Sequence, residues 1–169
     1  MRKILAAVDK LNSGLGFLSG CCIACGAILI ITEIFSRSIL QKSLLVADEY
    51  TGYLMAASSF LGLGFVEMKH GHIRMDLIDL LSSRFPRMIA AFRIAAYVAA
   101  SVFALYLAYV GWKLFQQSYA YGSKSMQISE TPLAIPQFLA PLGAIALFLQ
   151  YVCNLFRYCV GLRPEAKEL

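Results

Sequence analysis

Charged residues are scarce in this chain. Only 15% of its 169 residues are Asp, Glu, Lys or Arg, whereas 59% are apolar and the mean hydropathy is +0.67. A soluble domain carries about 25% charged residues and about 45–50% apolar ones, so this composition excludes an ordinary water-soluble fold. The net charge of +5 is spread between apolar stretches rather than gathered in one basic patch. The sequence therefore predicts a membrane protein that does not bind nucleic acid.

Histidines and paired metal-ligand motifs are scarce as well. His70 and His72 both lie outside the apolar stretches, so no stretch offers an axial haem ligand at membrane depth. Cys21, Cys22 and Cys25 lie within an apolar run without a nearby His or second Cys pair, and cysteine often serves as a small packing residue. No Ser-His-Asp set or phosphate-binding loop is recognisable. The sequence predicts no metal, cofactor or enzymatic activity in this chain.

Four uncharged intervals are long enough to cross a membrane as helices. A helix rises 1.5 Å per residue, so a hydrocarbon layer of about 30 Å needs about 17–25 residues. The intervals are Leu11 to Thr32, Tyr50 to Val66, Ile94 to Trp112 and Thr131 to Phe156. Backbone groups at that depth must be bonded within the protein, which favours helices and an all-α fold. We predict one membrane domain, 1–169, with spans at about 11–36, 49–68, 88–115 and 132–157.

The connection between the second and third spans contains an amphipathic segment at 75–85. Its apolar side chains share one helical face, and Asp76 and Asp79 lie on the other. This pattern is typical of a helix that lies in the membrane interface, and Pro86 would end it. The alternative is an irregular connection whose leucines rest against the bundle.

The distribution of basic residues predicts the orientation. Eleven of the fifteen Lys and Arg residues lie in the N-terminal segment, the middle connection and the C-terminal tail. Because basic residues favour the cytoplasmic side, both termini are expected in the cytoplasm. The other four lie in or beside the first and third connections: Arg37, Lys42, Lys113 and Lys124.

Two acidic groups mark the outer ends of the first two spans. Glu33 and Arg37 are four positions apart and can pair on one helix face, either as a joint with another subunit or as a snorkelling pair at a helix end. Asp48 and Glu49 begin the second span, where negative charge complements the positive end of a helix.

Small residues repeat along two spans and favour close helix packing, within the chain or between subunits. The repeating residues are Gly16, Gly20 and Ala24 in the first span, and Ala96, Ala100, Ala104 and Ala108 in the third.

No span has a carboxylate near its middle, so the chain lacks the midplane site expected of a transporter that acts alone. A small homodimeric exporter would require such a carboxylate, and Glu33, near an edge, is the one candidate.

Three motifs carry a family resemblance. They are DEYTGYL at 48–54, FLG at 60–62 and GHIRMD at 71–76, supported by Arg37, Gly111-Trp112, Ile135-Pro136 and Pro141-Leu142-Gly143. Over Ile28 to Phe156 the chain resembles the small transmembrane subunit of tripartite ATP-independent periplasmic (TRAP) transporters, the DctQ-like family. In that family an acidic pair opens helix two, and a Gly/Ala-His-Ile-Arg-Val-Asp motif follows it. The present chain has Met75 where Val is usual.

The resemblance implies a small permease subunit without catalytic activity in the bacterial inner membrane. In such systems a periplasmic binding protein delivers an organic acid to a large membrane subunit, which holds the substrate and the Na+ sites. The small subunit supports the large one as part of its fixed scaffold. The alternative is the membrane anchor subunit of an oxidoreductase complex.

The resemblance also suggests roles for residues of the middle connection. Gly71 would let the chain turn sharply after helix two, and His72 would supply a local hydrogen bond. Arg74 would pair with Asp76 or a partner carboxylate, or contact anionic membrane lipids. Candidates for meeting the periplasmic protein are the basic residues of the outer connections, Arg37, Lys42 and Lys124.

Overall fold

The computed structural model describes residues 2–43, 45–69 and 86–160. A short π-helix, Ser36–Leu40, extends the first of its long helices. In the described residues the only β-type pairing is an isolated bridge between Lys124 and Pro132, so the all-α prediction is confirmed. The four long helices are α1 (Arg2–Phe35), α2 (Ala47–Met68), α3 (Pro86–Ala120) and α4 (Ala134–Cys159).

Each predicted span corresponds to one of these helices, but two helices are longer than predicted. α1 begins at Arg2 rather than near residue 11, and α3 continues to Ala120 rather than ending near residue 115. Neither extension contains glycine or proline, so nothing in the sequence stops the helix where the apolar interval stops. Three helices of the described chain are long and apolar enough to cross a membrane: Leu5–Leu40, Met88–Ala120 and Ala134–Cys159.

α2 is less apolar because Asp48, Glu49 and Glu67 lie near its ends. It packs between α1 and α4, so part of its polar surface faces protein. A fourth span at 49–68 remains a prediction, and the predicted interfacial helix at 75–85 lies outside the described residues.

The helices pack in the order α1, α2, α4, α3, and α1 also contacts α4. α2 and α4 run parallel, whereas α1 and α3 run antiparallel to them. In the most apolar stretch of α4, 44% of residues are buried, against 11% for α1 and 17% for α3. α4 is therefore the central helix, and α1 and α3 flank the bundle with wide apolar faces exposed.

Buried residues of α1 recur every seven positions, at Asn12, Ser19, Gly26 and Glu33. A seven-residue period is typical of helices that cross at about 20° with a left-handed twist. Of the predicted small-residue seam, only Gly16 faces α2, where an added Cβ would lie 2.7 Å from the Cβ of Phe65. The rest of that seam, Gly20 and Ala24, is exposed.

The corresponding alanines of α3 are divided in a similar way. Ala104 and Ala108 are buried against α4, whereas Ala96 is exposed. About one helical turn further along α3, Gly111 packs against Pro141 of α4. A Cβ added at Gly111 would lie 3.2 Å from Pro141 Cδ. α3 thus contacts the bundle through one narrow stripe.

The antiparallel and parallel directions of the helices define two ends of the molecule. We call the "loop end" the one formed by the π-helix, the start of α2 and segment 121–133. The "terminal end" is formed by the start of α1 and the ends of α2 and α4.

Candidate functional site

A buried carboxylate organises the loop end where α1 finishes. Glu33 is 7% exposed, and its Oε1 accepts hydrogen bonds from Arg37 Nη2 at 2.7 Å and from Ser43 Oγ at 2.8 Å. Arg37 Nη2 also donates to Ser43 Oγ at 3.1 Å. Glu33 and Arg37 are therefore paired, and together they hold the segment after the π-helix against α1.

The π-helix makes this return possible. It ends at Leu40, and the next residue, Gln41, has a φ of 53° in the left-handed region, which turns the chain back. Ser36 Oγ then donates to the carbonyl oxygen of Lys42 at 2.8 Å, which fixes the turn. Single π-helical turns occur often at functional sites in helical proteins. The side chain of Lys42 is directed to the exposed surface of this turn.

A second buried carboxylate, Glu49, fixes the other loop. Tyr53 donates a 2.6 Å hydrogen bond to Glu49 Oε1, and Ser129 Oγ donates to Glu49 Oε2. Thr131 extends the contact, because its hydroxyl lies 2.8 Å from Ser129 Oγ and 3.2 Å from the hydroxyl of Tyr50. α2 therefore holds the α3–α4 connection through its first turns.

The α3–α4 connection is a narrow hairpin-like loop. Ser125 N donates to the carbonyl of Thr131 at 2.9 Å, and Leu133 N donates to the carbonyl of Ser123 at 3.0 Å. Lys124 pairs with Glu130 at 3.0 Å, but both side chains are largely exposed, so this pair adds at most about 1 kcal/mol. The tip of the loop is fully exposed at Met126.

A groove of about 450 Å³ opens between the ends of α1 and α2. Three of the sequence-predicted site residues, Glu33, Arg37 and Asp48, line it together. Asp48 is exposed, and its carboxylate has no hydrogen bond or ion pair among the described residues. The remaining lining residues are Ile30, Ile34, Ser38, Ala47 and Thr51.

The terminal end contains a polar network that the sequence analysis missed. Arg157 pairs with Asp9 at 2.5 Å, which joins α4 to α1. Asn12 Nδ2 donates to Gln150 Oε1 at 2.7 Å, and Gln150 Nε2 donates to Asp9 Oδ1 at 3.3 Å. The sequence of α4 does contain an indication of this network. Gln150, Asn154 and Arg157 are spaced so that their polar side chains share one face of the helix.

Asn154 connects this network to α2. Its Nδ2 donates to Glu67 Oε1 at 2.8 Å, and both residues are buried. Arg157 Nη1 approaches Asn154 Oδ1 at 3.3 Å. Three helices are therefore joined by polar contacts at the terminal end.

The structure brings together some of the predicted site residues and leaves others apart. Glu33, Arg37 and Asp48 share the groove, Glu49 lies in the neighbouring cluster, and Lys124 is in the hairpin-like loop. In the described part of the chain, no group of three His, Cys, Asp or Glu residues is placed to hold a metal ion. Gly71, His72, Arg74 and Asp76 lie outside the described residues.

The chain matches the model of a known family. The family model described as "Tripartite ATP-independent periplasmic transporters, DctQ component" matches residues 26–160. The match extends from the middle of α1 to the end of α4 and includes every residue of both loop-end clusters. No curated protein matches the chain closely enough to count as a relative. The match gives no support to an oxidoreductase anchor.

Proposed function

This chain belongs to the DctQ component family of tripartite ATP-independent periplasmic transporters, and from that premise we propose that it supports the large membrane subunit as a fixed scaffold. The transport that it supports is sodium-driven uptake of an organic acid, which a periplasmic binding protein delivers. The substrate and Na+ sites belong to the large subunit. The family is a component of a transporter, and the proposed scaffold role requires no enzymatic activity in this chain.

The observation that carries the scaffold role is the use of the buried carboxylates. Glu33 binds Arg37 and Ser43, Glu49 binds Tyr53 and Ser129, and Glu67 binds Asn154. Each carboxylate thus fastens a helix or a loop to its neighbour. A group that carries an ion or substrate must exchange partners during transport, whereas each of these carboxylates is already bonded to partners within the chain.

The exposed faces of α1 and α3 offer the surfaces on which a large subunit would pack. α1 exposes large apolar side chains such as Phe17 and Ile28, and α3 exposes Phe103 and Tyr106. Exposed Gly20 and Ala24 would allow close approach of a partner helix on α1. α2 would form the fourth span, sheltered between α1 and α4.

The predicted orientation places the loop end on the periplasmic side of the inner membrane and both termini in the cytoplasm. The binding protein would then meet the loop end, where the basic side chains of Arg37, Lys42 and Lys124 lie and where Lys42 has no acidic partner among the described residues. Docking should weaken as salt rises, because exposed charges are screened. Docking that is unchanged when all three charges are removed would contradict this role.

The first test is affinity purification of the chain from its native membrane in mild detergent. We expect one large multi-span partner in stoichiometric amount and no haem absorbance band. Purification alone, or with a redox subunit and a haem band, would contradict the proposal.

The second test is reconstitution of uptake in liposomes with the copurified large subunit and its binding protein. Omission of this chain should abolish uptake of the organic acid, and collapse of the sodium gradient should do the same. Arg74→Ala should lower both uptake and copurification if the middle connection organises the scaffold. Uptake that proceeds equally well without the chain would refute the scaffold role.

A further inference from the structure

The groove between α1 and α2 changes in polarity along its length. Ile30 and Ile34 line its part nearer the middle of α1, and their side chains are 44% and 62% exposed. Arg37, Ser38 and Asp48 line the part nearer the end of the helices. An apolar surface that leads into a charged one matches the profile of a bilayer from its hydrocarbon to its headgroups.

The charges in the groove are unevenly compensated. Glu33 is neutralised by Arg37, so the groove retains one net negative charge from Asp48. Arg37 contributes one Nη atom to Glu33 and Ser43, and its side chain remains 64% exposed. A guanidinium has five N–H donors, so it can bind a further acceptor. The groove therefore offers a donor for an anion and, separately, a carboxylate for a cation.

We propose that this groove binds a zwitterionic phospholipid whose headgroup carries a primary amine, such as phosphatidylethanolamine. The phosphate contacts Arg37, the ammonium group contacts Asp48, and one acyl chain lies along Ile30 and Ile34. The volume of about 450 Å³ falls within the range of about 300–1,000 Å³ that small-molecule sites occupy.

The charge balance distinguishes this lipid from the other common headgroups. A purely anionic lipid such as phosphatidylglycerol would bring its phosphate to a groove that already has a net negative charge. A choline headgroup has no N–H donor for Asp48. Of these three headgroups, only the amine headgroup can form hydrogen bonds between charged groups with both Arg37 and Asp48.

The test measures the lipid that the full-length protein retains in mild detergent, together with any subunit that accompanies it. The purified sample is exchanged into micelles that contain equal amounts of phosphatidylethanolamine, phosphatidylglycerol and phosphatidylcholine, and the retained lipids are quantified by mass spectrometry. We expect phosphatidylethanolamine to be enriched. Asp48→Asn should lower its retention about threefold, the order expected for one partly exposed ion pair, and the control Glu130→Gln should not.

A steric variant distinguishes lipid bound in the groove from lipid bound elsewhere on the protein surface. Ile34→Trp fills the groove and should abolish the enrichment. Ile31→Trp is its matched control, because Ile31 is 64% exposed on α1 but does not line the groove. Thermal unfolding of each variant confirms that its fold is intact.

Three results would overturn the proposal. Equal retention of the three lipids is the first, and equal retention by the two tryptophan variants is the second. The third is loss of a partner subunit in Ile34→Trp without any change in retained lipid, which would make the groove a protein contact. The inference uses the proposed position of the loop end at the membrane surface but not the transport role. Lipid enrichment in a sample that supports no uptake would therefore refute only the proposed function.

Discussion

Asn12 of α1 and Gln150 of α4, both fully buried, are joined by a 2.7 Å hydrogen bond between Asn12 Nδ2 and Gln150 Oε1. The bond connects the first helix to the last across 138 positions of sequence. Asn12 lies against Gly64 of α2. Because Gly64 has no side chain, the amide of Asn12 occupies the space that a Cβ of residue 64 would take. One amide pair thus fixes the position at which three helices meet.

Gln150→Leu should destabilise the protein. The substitution leaves the Asn12 amide buried without its acceptor, and a lost polar contact between membrane helices costs about 1–2 kcal/mol. Thermal unfolding in detergent, followed by circular dichroism, should show a lower midpoint. Asn12→Ala with Gln150→Ala should cost less than the sum of the two single changes, because each alone removes the same bond. Strict additivity would show that the two amides act independently.

Gly143→Ala should prevent close packing of α4 on α2. A Cβ at residue 143 would lie 2.5 Å from the carbonyl carbon of Phe60, and backbone cannot move aside as a side chain can. We expect a loss of at least about 2 kcal/mol or failure to fold, seen as aggregation in size-exclusion chromatography. The control is Gly14→Ala, since an added Cβ there meets nothing within 4 Å. Similar behaviour of the two variants would show that α2 and α4 are not in backbone contact.

Ser129→Ala should loosen the α3–α4 connection from α2. The hydroxyl of Ser129 donates to the Glu49 carboxylate, and a hydrogen bond to a charged group is stronger than one between neutral groups. Hydrogen exchange at the amides of Ser125 and Leu133, which close the hairpin-like loop, should become about tenfold faster. Glu130→Gln serves as the control, because its exposed pair with Lys124 contributes little. Unchanged exchange in Ser129→Ala would mean that the loop is held elsewhere.

The helices could be predicted because their length and composition alone decide them. An apolar interval of about twenty residues in lipid must satisfy its backbone internally, so a helix follows without any knowledge of neighbours. The pairing of Glu33 with Arg37 depends on spacing within one helix and could also be anticipated.

The buried face of each helix could not be predicted in the same way. In a membrane helix both faces are apolar, so hydrophobic periodicity does not separate protein contact from lipid contact. The polar residues carry the information instead, since Asn12, Ser19 and Glu33 recur at multiples of seven positions and mark the true seam of α1. Partners such as Glu49 and Ser129 are 80 positions apart, and only the packing of α2 beside α4 brings them together.

Gly16→Leu should lower the stability of the fold, whereas Gly20→Leu should weaken only the contact with the large subunit, because Gly16 faces α2 and Gly20 is exposed. At Gly16 the new side chain meets the ring of Phe65, so we expect a lower thermal midpoint. At Gly20 nothing lies within 4 Å of an added Cβ, so the fold should persist while copurification of the large subunit decreases. Copurification that survives Gly20→Leu would remove this face of α1 from the proposed subunit interface.

The orientation of the bundle can be tested with one native and one introduced cysteine. Cys159 is exposed at the terminal end of α4, whereas Cys153 is buried. A charged, membrane-impermeant maleimide should therefore label Cys159 in inverted vesicles but not in intact spheroplasts. The three cysteines of α1 lie in the middle of an apolar span, where the charged reagent does not reach.

Met126→Cys provides the opposite label at the loop end. Met126 is fully exposed at the tip of the hairpin-like loop, so its replacement should react in spheroplasts and not in sealed inverted vesicles. This outcome requires both termini in the cytoplasm, as the excess of Lys and Arg near them predicts. Labelling of Cys159 from the periplasmic side would show that the bundle has the opposite orientation in the membrane. It would also exclude docking of a periplasmic protein on Arg37, Lys42 and Lys124, because these residues would then face the cytoplasm.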